Sequence, residues 1–308
     1  MKKLQNNSSP LTSGRRLKKA TSVESKAVVG IMLLVPALAS LIVFKYVPLF
    51  MGAFISFFDF DIVNMPGEFV GLENYIRAFS DSKFYASLWH NVKMFAYTMI
   101  MNFWPPILLA ILINEVKKGR TVFRLVYFIP ACAPMIAMTI FWKYFWQPDY
   151  GLANYIVSFL GIKPQLWLND TKLVYFCMHF SGLIICGGMN LVIYLAALQN
   201  VPQELYEASV IDGTNLVQRL RHITLPQIKD TVALMFMLSL INKVNAMEDI
   251  MVYTGGGPAG STETALLYAY KQGTNSMDYS YAMTMITIVF VIVLVLNIIN
   301  NARSGKEA

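Results

Sequence analysis

The chain has 308 residues, 56% of them hydrophobic and only 14% charged, with a mean hydropathy of +0.50. A soluble domain carries about 25% charged residues and lacks repeated apolar runs of about 20, so this composition excludes an ordinary soluble fold and points to a membrane protein with several spans. The net charge of +7 sits in short stretches beside apolar runs, which is a pattern of membrane sidedness rather than of nucleic-acid binding.

The first element is a basic segment at 1–27, carrying Lys2, Lys3, Arg15, Arg16, Lys18, Lys19 and Lys26. It leads into the first of six expected membrane helices, at about 28–50, 88–113, 122–146, 172–198, 230–250 and 279–300, each near the ~20 residues a bilayer requires. Ala37-Leu38-Ala39 resembles a leader cleavage site, but apolar sequence runs on to Phe44, so the first helix is expected to stay uncleaved. The expected organisation is therefore a basic segment at 1–27, a transmembrane domain at 28–300 and a short tail at 301–308.

Pro36 lies in the first helix, Pro105-Pro106 in the second, and Pro130 and Pro134 in the third, so kinks or breaks are expected there. Cys132, Cys177 and Cys186 fall in apolar segments without metal-ligand spacing and read as small buried thiols. His90, His179 and His222 are scattered, so no metal centre or catalytic triad is expected, and His179 reads as an interhelical hydrogen-bonding group.

The connecting segments fall into two sets. One holds the basic N-terminus, Lys117-Lys118-Gly119-Arg120, a polar insert at 199–229 with Arg219 and Arg221, and the tail with Arg303 and Lys306. The other is rich in acids, among them Asp59, Asp61, Glu68, Asp81, Asp149, Asp170, Glu263 and Asp278. The basic set is expected in the cytoplasm, with both termini inside.

Within the insert, Pro202 suits a helix start and Glu204 its first turn. Leu205, Ala208 and Ile211 recur at helical spacing, and Asp212-Gly213 closes the helix with a residue free to turn left-handed. Asn215 then caps a second short helix carrying Leu216, Leu220 and Ile223, before Leu225-Pro226 enters the fifth span. This is a helix–turn–helix between two membrane helices, and on periodicity alone it could be an ordinary amphipathic connector.

Glu207-Ala208-Ser209, three residues, Gly213, nine residues, then Ile223-x-Leu225-Pro226 resembles the EAA loop of ABC importer permeases, with Ser209 where the family usually has a second alanine. Gly71-Leu72-Glu73-Asn74-Tyr75 with Asn91, Phe123-Arg124 with Pro130, Pro148-Asp149-Tyr150-Gly151, and Thr254-Gly255-Gly256-Gly257-Pro258 are similar to further stretches of its carbohydrate-uptake, MalF-like branch. The resemblance implies an all-α membrane protein of six transmembrane helices, with a type I importer architecture and a cytoplasmic coupling helix that sits on an ATPase. It further implies that Glu207, Ala208, Ser209, Asp212, Gly213, Ile223, Leu225 and Pro226 serve this coupling. The implied partners are a second permease chain, two ATPase copies, an extracytoplasmic binding protein and a sugar. ATP would be used by the partner subunits, this chain binding no cofactor in a bacterial plasma membrane.

Lys243 lies within the fifth span with Ser239, Asn242 and Asn245 nearby. A charge at that depth is costly unless it meets water or a partner, so these residues either bond between helices or line a path. Alignment on the EAA loop implies that Ser239, Asn242, Lys243 and Ala246 line a substrate path opposite Leu183, Ile185, Cys186 and Met189, the latter four being less polar than in the family. The stretch 254–265 lacks the Gly-Lys-Ser/Thr ending of a phosphate loop, so nucleotide is not expected there. A self-sufficient secondary transporter would carry related broken halves, and no such repeat is present. A non-sugar solute such as a glycerophosphate stays open on the residues alone.

Overall fold

The computed structural model describes residues 31–60, 65–116 and 119–304, the last four by backbone alone. The expected basic segment at 1–27 and residues 305–308 of the tail lie outside this range, as do Asp61, Lys117 and Lys118. The chain divides into two units, Met1–Ile55 and Ser56–Ala308.

In the first unit, α1 (Ile31–Ile55) is an apolar helix of 25 residues, long enough to cross a bilayer and ending five residues later than expected. Pro36 is accommodated within it. At Ile42–Tyr46 the helix widens to a π-type turn, with the Val47 N–H bonded to Ile42 O. This turn lies just ahead of Pro48, whose ring has no N–H to give and crowds the carbonyl four residues back.

The second unit opens on a two-stranded antiparallel ribbon, β1 (Phe58–Asp59) and β2 (Glu68–Phe69), with Phe58 opposite Phe69. A short α2 (Glu73–Ser80) follows. Asp81 then caps α3 (Ser82–Glu115), accepting from the Lys83 N–H at 2.8 Å, so this helix begins six residues before the expected span. A second wide turn, Met99–Phe103, sits immediately ahead of Pro105-Pro106 and lets α3 continue through both prolines.

The third expected span is not one straight helix. It is a pair, α4 (Arg120–Cys132) and α5 (Met135–Phe145), bent by 95°. Pro134 forces the preceding Ala133 into an extended conformation, ψ 148°, which ends the helix. After α6 (Leu152–Ser158), α7 (Val174–Gln199) runs 26 residues unbroken. At Gly188 an added Cβ would lie 2.0 Å from Tyr127 O, so α4 crosses α7 at backbone contact, as small residues allow in membrane bundles.

The insert forms α8 (Gln203–Ile211) and α9 (Leu216–Gln227), the latter meeting α10 (Lys229–Val244) at 74°. The expected helix at 230–250 is thus corrected: α10 stops at Val244, and α11 (Glu248–Tyr253) starts after a break. Then come α12 (Ala265–Asn275) and α13 (Tyr279–Ser304). Among the described residues, four unbroken helices and two bent pairs have the length and composition of membrane spans.

Three clusters form the core of this unit. Met94, Trp142, Trp146, Trp167, Tyr175 and Ile250 join α3, α5, α7 and α11. Phe103, Ile107, Ala110, Leu191, Tyr194 and Ile228 join the later halves of α3 and α7 to the start of α10. Ala78, Phe84, Tyr268, Tyr281 and Met285 join α2, α3, α12 and α13.

Candidate coupling insert and transport surface

The insert is shaped by local chemistry. Thr214 N–H bonds Ser209 O at 3.0 Å, and Gly213 takes φ +69°, which closes α8. Asn215 and Gln218 then exchange side-chain and backbone bonds of 2.9 Å each, a capping box that starts α9. The Tyr206 and Thr224 hydroxyls lie 3.2 Å apart and tie α8 to the wide turn Leu220–Thr224, which again precedes a proline, Pro226. Leu220 and Leu225 pack with Tyr206 against the second core cluster.

The resemblance-based residues divide by exposure. Glu207, Ala208, Asp212, Gly213 and Pro226 are exposed, with Glu207 Oε1 accepting from Gln203 Nε2 at 2.9 Å. Ser209 is only 4% exposed and donates its hydroxyl to Tyr206 O at 2.7 Å; Ile223 and Leu225 are half-buried. Beside the exposed polar set, Ile211 is 86% and Val210 63% exposed.

At the opposite end of the second unit, the fifth span breaks between α10 and α11, and Asn91 of α3 holds the break. Its Nδ2 donates to Lys243 O at 2.7 Å and Val244 O at 3.2 Å, while its Oδ1 accepts from Ala265 N–H at 3.0 Å. Thr264 Oγ1 donates to Ala246 O at 2.6 Å. Helix-end carbonyls that lack partners in their own helix are thus satisfied from α3 and the segment before α12.

A family described as binding-protein-dependent transport system inner membrane component matches residues 106–302. The chain belongs to this family. It is a multi-pass membrane transport protein, a permease rather than an enzyme. The permease is 32% identical to the trehalose/maltose transport system permease protein MalF of Thermococcus litoralis, over 89% of this chain and 92% of that one. It is 34% identical to the arabinooligosaccharides transport system permease protein AraP of Bacillus subtilis, over 83% and 86% of the two chains. A bacterial ABC transporter involved in the import of the acidic polysaccharide alginate superposes with a TM-score of 0.81 at 23% identity, covering 94% of this permease and 99% of that chain. The fold is therefore that of an ABC importer permease.

The residues expected to line a path in this permease are only partly brought together. Asn242 is exposed and Lys243 half-buried on α10, and Cys186 and Met189 are exposed on α7. Met235 of α10 shares the second core cluster with Leu191 and Tyr194 of α7, so these two helices do meet. Ser239 donates its hydroxyl to Met235 O at 2.8 Å, within its own helix. Ala246 and Ile185 differ from expectation: both are buried in the first core cluster. For Ala246 the reason is the break, since helical spacing from Lys243 no longer holds beyond Val244.

His179 is 4% exposed, with its ring nitrogens 2.7 Å from Tyr175 O and 3.0 Å from Met94 O, and the Tyr97 ring tilted against it. It braces α7 against α3. The glycine-rich loop closes on itself: Thr262 Oγ1 donates to Gly257 O at 2.7 Å, and Lys271 Nζ to Gly255 O at 2.7 Å. Gly255 and Gly256 stand at φ +61° and +94°, which accounts for the glycines without a phosphate. Sequence reasoning missed Asn91 as the holder of the break. Asn91 stands among His90 and Lys93, so no isolated polar residue in an apolar run marked it.

Proposed function

We propose that this permease is one transmembrane subunit of an ATP-driven importer of a sugar or oligosaccharide. The insert docks on a cytoplasmic ATPase, of which two copies serve the complex, and a second permease chain completes the pathway. An extracytoplasmic binding protein delivers the solute, and both termini of this chain lie in the cytoplasm. ATP is bound and hydrolysed by the partner subunits alone.

The observation that carries this reading is the capped insert with Glu207, Asp212, Val210 and Ile211 all presented outward. Relatives named for trehalose/maltose and arabinooligosaccharide transport support the substrate class. A structure titled as an alginate transporter in complex with a pentasaccharide-bound periplasmic protein supports the binding-protein partner. In this mechanism, closure of the ATPase pair draws the coupling helices together, and rigid-body movement of the spans switches access to Asn242, Lys243, Cys186 and Met189 from one side to the other. The test is purification from a membrane that expresses the whole system. Expected is one copy of this chain with a second permease and two ATPase subunits; a single chain that transports alone would overturn the reading.

A further inference from the structure

At the insert end of the second unit, α3 finishes at Glu115 and the chain re-enters helix at Arg120. A carboxylate on the last residue of a helix faces the negative end of the helix dipole, where acids are disfavoured. Two arginines answer it in different ways. Arg120 donates from Nε to Ile113 O at 3.3 Å and from Nη2 to Asn114 O, so its guanidinium caps the backbone of α3. The Glu115 carboxylate is met by Arg219, whose Nη1 lies 3.8 Å from Glu115 Oε2. Arg219 belongs to α9, the second helix of the insert, and its Nε is buried without a hydrogen-bond partner among the described residues.

Leu220 and Leu225 press α9 against apolar side chains of α3 and α7, contacts that resist separation but do not fix an angle. The Glu115–Arg219 pair is an ion contact beyond hydrogen-bond length, and it joins the insert to the end of a 34-residue helix that also carries Asn91. A pair this exposed, 38% on Glu115 and 20% on Arg219, adds little to folding. Its effect falls on how the insert is held.

We propose that Glu115 and Arg219 are positioning residues that form a strut between the insert and α3, so that displacement of the insert carries the end of α3 with it. The proposal rests on the reading of the insert as the ATPase docking element. The strut transmits; it touches neither nucleotide nor solute.

The experiment uses the complete transporter with its binding protein in proteoliposomes and measures ATP hydrolysed per solute imported. Glu115→Gln and Arg219→Gln are expected to assemble normally and to hydrolyse ATP, with the ATP-to-solute ratio raised at least about five-fold, the low end of an ordinary coupling free energy. Arg219→Lys and the exchange Glu115→Arg with Arg219→Glu should bring the ratio back toward wild type. An unchanged ratio in both single variants would overturn the strut. So would hydrolysis and uptake that fall together in proportion, or an exchange that restores nothing. If the wild-type chain recruits no ATPase at all, the reading of the insert fails first and the strut with it.

Discussion

Asp81 shows how much one side chain organises at the end remote from the insert. It caps α3 through the Lys83 N–H and accepts from the Tyr281 hydroxyl at 2.6 Å and the Tyr268 hydroxyl at 2.8 Å. Burial pushes its carboxyl up, but the hydrogen bonds from Tyr281, Tyr268 and the Lys83 and Phe84 amides outweigh burial and hold it below the ordinary value. Burial and the neighbouring carboxylate push Tyr268 the other way, up to about 12. The signs follow: Asp81 stabilises the fold fully above the ordinary carboxylate value of 3.8 and loses this as pH falls through its lowered folded value. Tyr268 stabilises below about 10 and loses this as pH rises toward about 12. Melting of the purified chain should therefore drop on both acid and strongly alkaline sides, and Asp81→Asn should flatten the acid limb; an unchanged acid limb in that variant would remove Asp81 from this role. At this scale the sequence is readable where partners are close: Gly213 and Asn215 act within three to five residues. It is silent where they are far, since Asn91 meets Val244 and Ala265 across 153 and 174 residues.

Elements follow the prolines in two different ways. Ahead of Pro48, Pro105 and Pro226 the helix loosens by one residue and continues; at Pro134 it stops and turns by 95°. Proline positions forecast that something yields at each site, but neighbours decide which outcome occurs. The break after Val244 has no proline at all, and the polar stretch there, from Asn242-Lys243 to Glu248-Asp249, does not by itself say where the helix ends. Its cause lies in Asn91 and Thr264, which take over the helix-end carbonyls. The crossing of α4 over α7 gives the sharpest test at this level. Gly188→Ala should force the helices apart and cost about 1–3 kcal/mol, read as a lower melting temperature in detergent, with Gly188→Val worse. Wild-type melting in both variants would mean that α4 does not lie against α7 there.

For the second unit as a whole, one continuous helix, α3, runs between the proposed docking insert and the break in the fifth span. Glu207 is exposed on the insert and, among the described residues, accepts a hydrogen bond from Gln203. Glu207→Arg should therefore leave folding and solute delivery unaffected and abolish coupled uptake, measured as import by whole cells beside binding-protein affinity for the solute. Full uptake would remove Glu207 from coupling. The insert was legible because its signals are local and its spacing is long and specific. The proposed path was less so: a gapless count along the fifth span assumes an unbroken helix, whereas α10 ends before Ala246, which is buried.

The wide turn in α3 is also a phase shift. Asn91, Met94 and Thr98 are buried at ordinary helical spacing, and the next buried position is Phe103, five residues on, followed by Pro106, Ile107 and Ala110. One surplus residue rotates the later half by about 100° relative to an uninterrupted helix. A single helix can thereby turn one side toward the broken fifth span and another toward the last turns of α7. A helical wheel drawn through residues 99–103 misplaces the later half of α3, and deleting one residue there would swing Phe103, Ile107 and Ala110 about 100° off the face they bury.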